Sequence, residues 1–363
     1  MLSGIADVPK GRLGNLFQSC CFRCSNKVVT KMNMRLAKLA KKSKKAVIAY
    51  KIFDNWRIKR LAARGVVDTF HGSTHSRNSL AESLAYINTQ FEDYLQYSGL
   101  TRQKLAGKRI FELGFGDNFG VALKFLAAGA VRAVCLDKFY AKRDDSQQRN
   151  IYLALRETLS YEEQQRFDEA IDLTDGIELN PARLKCIYGS DVEATPELPE
   201  TEAFDLTISR VAIQDIYNPD NAFTAMDRML ASGGYALHKI DLSDQGMFRD
   251  LGMNPLTYLT ISEPIYRLMA VDSGKPNRKL STYYRCKMAE LGYNTKMLIT
   301  SVIGRSGRGD LHPHKEKISL GVEYSESTLN YVREIRHSLD SAFRGLAEEE
   351  LIVDGIFLVA RKP

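Results

Sequence analysis

The stretch FELGFGDNFGVALKFLAAGA, residues 111–130, continued by VRAVCLDKF at 131–139, decides how the rest of the chain is read. Gly114, Gly116 and Gly120 stand as GxGxxxG between an apolar run ending at Leu113 and a helix-like segment. Such a turn reverses the chain sharply, admits a ligand against bare backbone, and offers the N–H groups that open the next helix. Asp137 ends the following apolar run, where an acid can take the two hydroxyls of a ribose. Glu112 lies inside the first strand, two residues before the first glycine. A carboxylate there would repel a pyrophosphate, whereas a ligand with an amino group and a sulfonium would be attracted to it.

Outward from the turn, short apolar runs alternate with helical patterns. Candidate strands are RIFEL (109–113), VRAVCL (131–136), RLKCIY (183–188), FDLTIS (204–209), GYALHKI (234–240), MLITSVI (297–303) and GIFLVA (355–360). Their β-branched content and the intervening helices predict an α/β fold, a seven-stranded, mostly parallel, doubly wound sheet covered on both faces. Residues 79–99 form an amphipathic lead-in helix ended by Gly99. Residues 140–180 and 241–293 interrupt the alternation, and insertions at the carboxyl ends of parallel strands build substrate pockets. GRSGRGDLHPHKEK (304–317) reads as a mobile loop.

ELGFGDNFG (112–120) with the aspartate of CLDKF (135–139) resembles the first two motifs of class I S-adenosylmethionine-dependent methyltransferases. YGSDVE (188–193), FDLTISRVAIQDI (204–216), MDRMLASGGYALHKIDLSD (226–244) and VDGIFLVARKP (353–363) follow in that family's order. HKIDLSDQGMF (238–248) followed by NPLTYL and NRKLSTYYRCKMAELGY is similar to bacterial methyltransferases associated with cell-envelope glycans or specialised metabolites. The resemblance implies a Rossmann-like domain over 65–363, with its sheet in 105–240 and 294–363 and a helical substrate cap at 241–293. It implies S-adenosylmethionine as cofactor, with Gly114 and Gly116 packed against it, Glu112 facing its amino-acid portion and Asp137 on the ribose. Asp191, after Ser190, would meet the adenine amino group, and Ser209 at the end of the fourth strand belongs to the same cofactor-binding set. Where the family often carries a Glu-His pair after that strand, this chain has Gln214 and Asp215.

The chemistry so implied is methyl transfer to a hydroxyl of a small-molecule or glycan-like acceptor, with amine or carboxylate as lesser alternatives. A hydroxyl must lose its proton, and His238, at the end of the fifth strand, is the expected base, with Asp241 or Asp244 orienting it or serving instead. His71 and His75 could close over the cofactor, and Tyr258, Tyr266, Tyr283 and Tyr284 suit an acceptor pocket. A nicotinamide-dependent oxidoreductase would use nearly the same turn, and a non-catalytic membrane- or RNA-associated protein could retain the fold.

Composition narrows the setting. The chain of 363 residues is 44% hydrophobic and 26% charged, ordinary for a globular protein. Charge is uneven: residues 27–64 hold thirteen Lys or Arg against one acid, Asp54, while the whole chain is only +7. Residues 1–64 therefore read as a basic, partly helical arm that could lie on an anionic membrane surface. No aromatic platform or recognised motif points to nucleic acid. Six scattered cysteines suggest a reducing compartment, and no apolar run approaches a membrane span, so a cytoplasmic protein, peripheral at most, is expected. CCFRC (20–24) and HPH (312–314) lack the partners of a zinc site; the three thiols could be acylated.

Overall fold

The computed structural model describes residues 43–69, 72–192, 203–304 and 307–363. The chain divides into two compact units, Met1–Tyr50 and Lys51–Pro363. The break falls within helix α1 (Lys44–Ala62), whose residues from Lys51 onward count with the larger unit. Residues 1–42, which carry CCFRC and most of the basic arm, lie outside the described residues.

The larger unit is built on one sheet. Its strands are β1 (Arg109–Leu113), β2 (Arg132–Asp137), β3 (Leu184–Tyr188), β4 (Phe204–Arg210), β5 (Leu230–Asp241), β6 (Asn294–Gly304), β7 (Gly307–Lys315) and β8 (Val353–Arg361). They lie in the order β7-β6-β8-β5-β4-β1-β2-β3. The five strands from β5 to β3 are parallel, and β8, β6 and β7 are antiparallel to their neighbours. All seven expected strands form, and the expected count is corrected to eight. The glycine-rich segment read as a mobile loop contributes β7, the second arm of a hairpin with β6. Pro313 is tolerated there because β7 is an edge strand and the pairing slips between Ile299 and Ser301, so no central ladder bond is lost.

Alternation along β1 sorts its residues between two helical layers. Ile110 joins the cluster formed with α2 (Leu80–Ser98), α3 (Gly120–Ala127) and α4 (Asp145–Glu157). Phe111 and Leu113 join the opposite cluster, with α6 (Pro219–Met229) and α8 (Ser281–Glu290). Helix α2 is held at both ends: Ser79 forms a capping box with Glu82, and Gly99 closes it in the left-handed conformation. Between α4 and α6 lies α5 (Tyr161–Asp168), and the insertion before α8 contributes α7 (Glu263–Ala270). Strand order reverses between β1 and β4, so the ligand-binding crevice of such a sheet falls at their carboxyl ends.

Candidate active site

That crevice opens into a cleft of 1370 Å³. The glycine turn forms its floor. Gly114 and Gly116 have φ of 74° and 66°. A side chain on Gly114 would collide with Ala212 at the exit of β4, and one on Gly116 would come within 2.6 Å of the Gly72 carbonyl oxygen. Gly116 is packed on backbone and Gly114 on the Ala212 methyl, and with positive φ at both, each position demands glycine. Gly120 serves differently: a β-carbon there would meet Ile87 Cδ1 at 2.5 Å, so this glycine lets α3 approach α2.

The N–H groups expected to be free at the start of α3 are already engaged. Phe119 N–H donates to the Tyr152 hydroxyl at 2.9 Å, and Gly120 N–H to Asn118 Oδ1 at 2.6 Å. Asn118 in turn donates to Gln148 Oε1 at 2.6 Å. Buried side chains have taken the first donors a phosphate would need, so the turn is poorly suited to a pyrophosphate.

Glu112, Gly114, Gly116, Asp137 and Asp191 all line this cleft. Glu112 is only 7% exposed, and the Cys135 thiol donates to it, Sγ to Oε2 at 3.7 Å. Burial with so weak a partner raises its pKa to about 7. Asp137 accepts from Gly116 N–H at 3.1 Å and from Phe139 N–H at 3.0 Å, tying the end of β2 to the glycine turn. Burial raises its pKa to about 6 against those bonds. Asp191 is half-exposed and pairs with Lys138 at 3.1 Å, with Ser190 beside it on the cleft wall.

A segment ahead of α2 roofs the turn. Asp117 N–H donates to the Gly72 carbonyl at 3.3 Å, and the buried Asp117 carboxylate accepts from Ser76 N–H at 3.2 Å. His75 lines the cleft edge-on to Tyr86, and burial lowers its pKa to about 4. His71 lies outside the described residues.

Further parts of the wall come from the exit of β4 and from the 241–293 insertion, through Asp215, Gln245, Glu263, Gly274 and Arg278. Sequence reasoning passed over Asp215 because it departs from the family's pair. The structure puts it in the cleft, with Gln245 Nε2 donating to its Oδ1 at 2.7 Å. Burial raises its pKa to about 7, opposed by Gln245 and the Lys275 ammonium. Gln214 is buried behind it, its Oε1 accepting from Asp241 N–H at 3.4 Å. The readable signal was position: an acid in the loop that leaves the fourth strand.

The residues expected to act on the acceptor lie elsewhere. His238 is completely buried, is not on the cleft wall, and spends Nδ1 on the Ser209 hydroxyl at 2.9 Å. Burial pushes its pKa down to about 3, so the ring is a neutral core group. The reason is register: His238 pairs with Ser209 across β4 and β5 and with Leu358 across β5 and β8, deep within the sheet. Ser209 is equally sealed, so its side chain does not reach the crevice. Asp241 accepts from Ser243 N–H at 2.9 Å, and Asp244 accepts from Gly246, Phe248 and Arg249 N–H groups; both shape the loop after β5. Tyr258, Tyr266 and Tyr284 are core residues, with the hydroxyls of the first two donating to the Leu242 and Pro276 carbonyls. Tyr283 donates to Asp220 at 3.1 Å and does not line the cleft. Among the described residues no group of His, Cys, Asp and Glu has the arrangement of a metal site.

Strand order and the cleft at its reversal are those of an open, doubly wound α/β sheet, the fold that the sequence resemblance implies. Among solved structures the chain is similar to phosphoethanolamine N-methyltransferase 2 of Haemonchus contortus in complex with S-adenosyl-L-methionine, at 14% identity and a TM-score of 0.38, over 76% of this chain and 52% of that one. The chain thus spans about half the length of that protein. It is also similar to the cyclase SpnF (14% identity, TM-score 0.36, 76% of this chain and 80% of that one). A third is the YcgJ protein of Bacillus subtilis (10% identity, TM-score 0.36, 74% and 98%). No protein-family profile and no curated protein matches the chain. At such identities the site must be read from this chain's own geometry.

Proposed function

We propose that the chain is an S-adenosylmethionine-dependent methyltransferase acting on a hydroxyl of a small-molecule or glycan-like acceptor. One observation carries the reading: Glu112 is a buried carboxylate beside a bare glycine turn, with a thiol donating to it. Among the described residues no cation is recognised beside it, and the ammonium of a methionine-derived ligand would supply one. Asp137 would take the ribose hydroxyls and Asp191 the adenine amino group, while Gly114 and Gly116 leave room for the nucleoside. The bound cofactor supplies a methyl group on a positively charged sulphur, already electrophilic.

What falls to the protein is alignment, exclusion of water and removal of a proton. Asp215 is the base in this reading. It faces the cleft, Gln245 orients it, and a pKa near 7 matches a base working at neutral pH. The insertion at 241–293 then caps the acceptor, within a catalytic domain covering 65–363.

The engaged amides at the start of α3 and the acid Asp117 inside the turn disfavour a nicotinamide-dependent oxidoreductase. Calorimetry with S-adenosylmethionine and S-adenosylhomocysteine, beside fluorescence titration with NADH, is the test. Binding of the first two alone is expected; a folded protein that binds neither ends the proposal.

A further inference from the structure

Helix α1 has two unlike sides, and only one is occupied by its own domain. On the inner side Asn55 is buried and ties the helix to the insertion, accepting from Asp272 N–H at 2.8 Å. Asp54 and Ile58 lie at the cleft. Across the helix, Phe53 and Trp56 stand one turn apart with rings 5.8 Å apart, 57% and 47% exposed. Lys59, Arg60 and Arg64 are exposed around these rings, while Arg57 lines the cleft with Asp54 and Ile58. An ordinary packed helix turns its polar side to water, whereas this one turns two large aromatic rings outward.

The charge identifies the occupant. Asp54, the sole acid between residues 27 and 64, is paired with Arg57 at 2.8 Å. The sixteen residues from 27 to 42 add six Lys or Arg and no acid. A second copy of the chain would bring like charges together. A nucleic-acid base would find one face of the indole covered, because the Arg60 guanidinium lies 4.0 Å over the Trp56 ring. Aromatic rings flanked by lysine and arginine instead match the boundary of a bilayer, with rings at headgroup depth and cations on anionic lipid. We propose that the outer face of α1, Phe53 and Trp56 with Lys59, Arg60 and Arg64 around them, docks on an anionic lipid bilayer. Because Asp54 and Ile58 on the same helix line the cleft, docking would set the mouth of the cleft beside the lipid surface. The inference stands independently of the methyl-transfer reading.

Trp56 is the only tryptophan in the chain, so its emission reports this face alone. The full chain is titrated with vesicles of phosphatidylcholine and with vesicles containing phosphatidylglycerol. The expected result is a blue shift of Trp56 emission with the anionic vesicles only, lost at high salt. Phe53→Asp should remove the shift, and Trp56→Ser should reduce pelleting with anionic vesicles by about fivefold or more, both with unchanged circular dichroism. Pelleting without a Trp56 shift would overturn the proposal, since the basic segment ahead of α1 would then suffice. So would an equal shift with neutral vesicles, a concentration-dependent shift accompanied by dimers in sedimentation, or a shift produced by RNA and not by lipid.

Discussion

The Glu112 carboxylate and the Cys135 thiol face each other across neighbouring parallel strands, Oε2 to Sγ at 3.7 Å. A thiol is a weak donor, and burial against so weak an answer holds the carboxyl above the ordinary carboxylate range, at about 7. If this carboxylate grips a cationic ligand, Glu112→Gln should weaken S-adenosylmethionine by about tenfold or more, the loss expected for a charge-assisted hydrogen bond. Calorimetry on the purified variant checks it, and an unchanged dissociation constant would remove Glu112 from the site.

The same group fixes a pH dependence of binding. Only the ionised carboxylate attracts an ammonium, so affinity should rise by about tenfold between pH 6 and pH 8 as Glu112 titrates near 7. The rise should be absent in Glu112→Gln. An affinity that is flat over this range in the parent protein would contradict the assignment.

Stability should move the other way. A carboxyl whose folded pKa is raised is penalised as pH climbs from its unfolded value near 4.5 to about 7, and fully penalised above. Glu112→Gln should therefore stabilise the unliganded protein at pH 8 by at most about 3 kcal/mol and do little at pH 4. Thermal melts at the two pH values decide it.

Asp215→Asn keeps the size of the side chain and removes the base. Turnover should fall by about a hundredfold or more while the dissociation constant for S-adenosylmethionine holds, because proton removal and cofactor binding are separate tasks. If binding of the cofactor collapses with turnover, Asp215 is a cofactor contact instead.

His238 should behave as a core residue. Its folded pKa, lowered to about 3, lies below the unfolded value, so its share of stability is complete above pH 6.5 and is lost as pH falls toward 3. His75 and His314, lowered to about 4, act in the same direction. His238→Ala should cost about 2 to 4 kcal/mol from the cavity and the orphaned Ser209 hydroxyl, and flatten part of the acid-side slope. Folded His238→Ala should keep the pH profile of turnover; a shifted profile would restore His238 as the base.

The sheet was legible because strand and helix signals are local. Apolar runs of strand length, the capping Ser79 and the left-handed Gly99 declare themselves within a few residues, and Gly114 and Asp137 mark the ends of their own strands. The hairpin strand Gly307–Lys315 was not legible, since its glycines, basic residues and proline suit a loop until the edge of β6 supplies partners. Side-chain destinations around β5 were equally hidden. From spacing alone His238 sits at a strand end and Asp215 in a loop, yet pairing buries the first between β4 and β8 and leaves the second facing open space. Position along the chain determined which residues stand near the crevice; only long-range packing decided which of them meet it, because a strand's two faces lead to opposite layers and nothing local says which strand will cover the last turn.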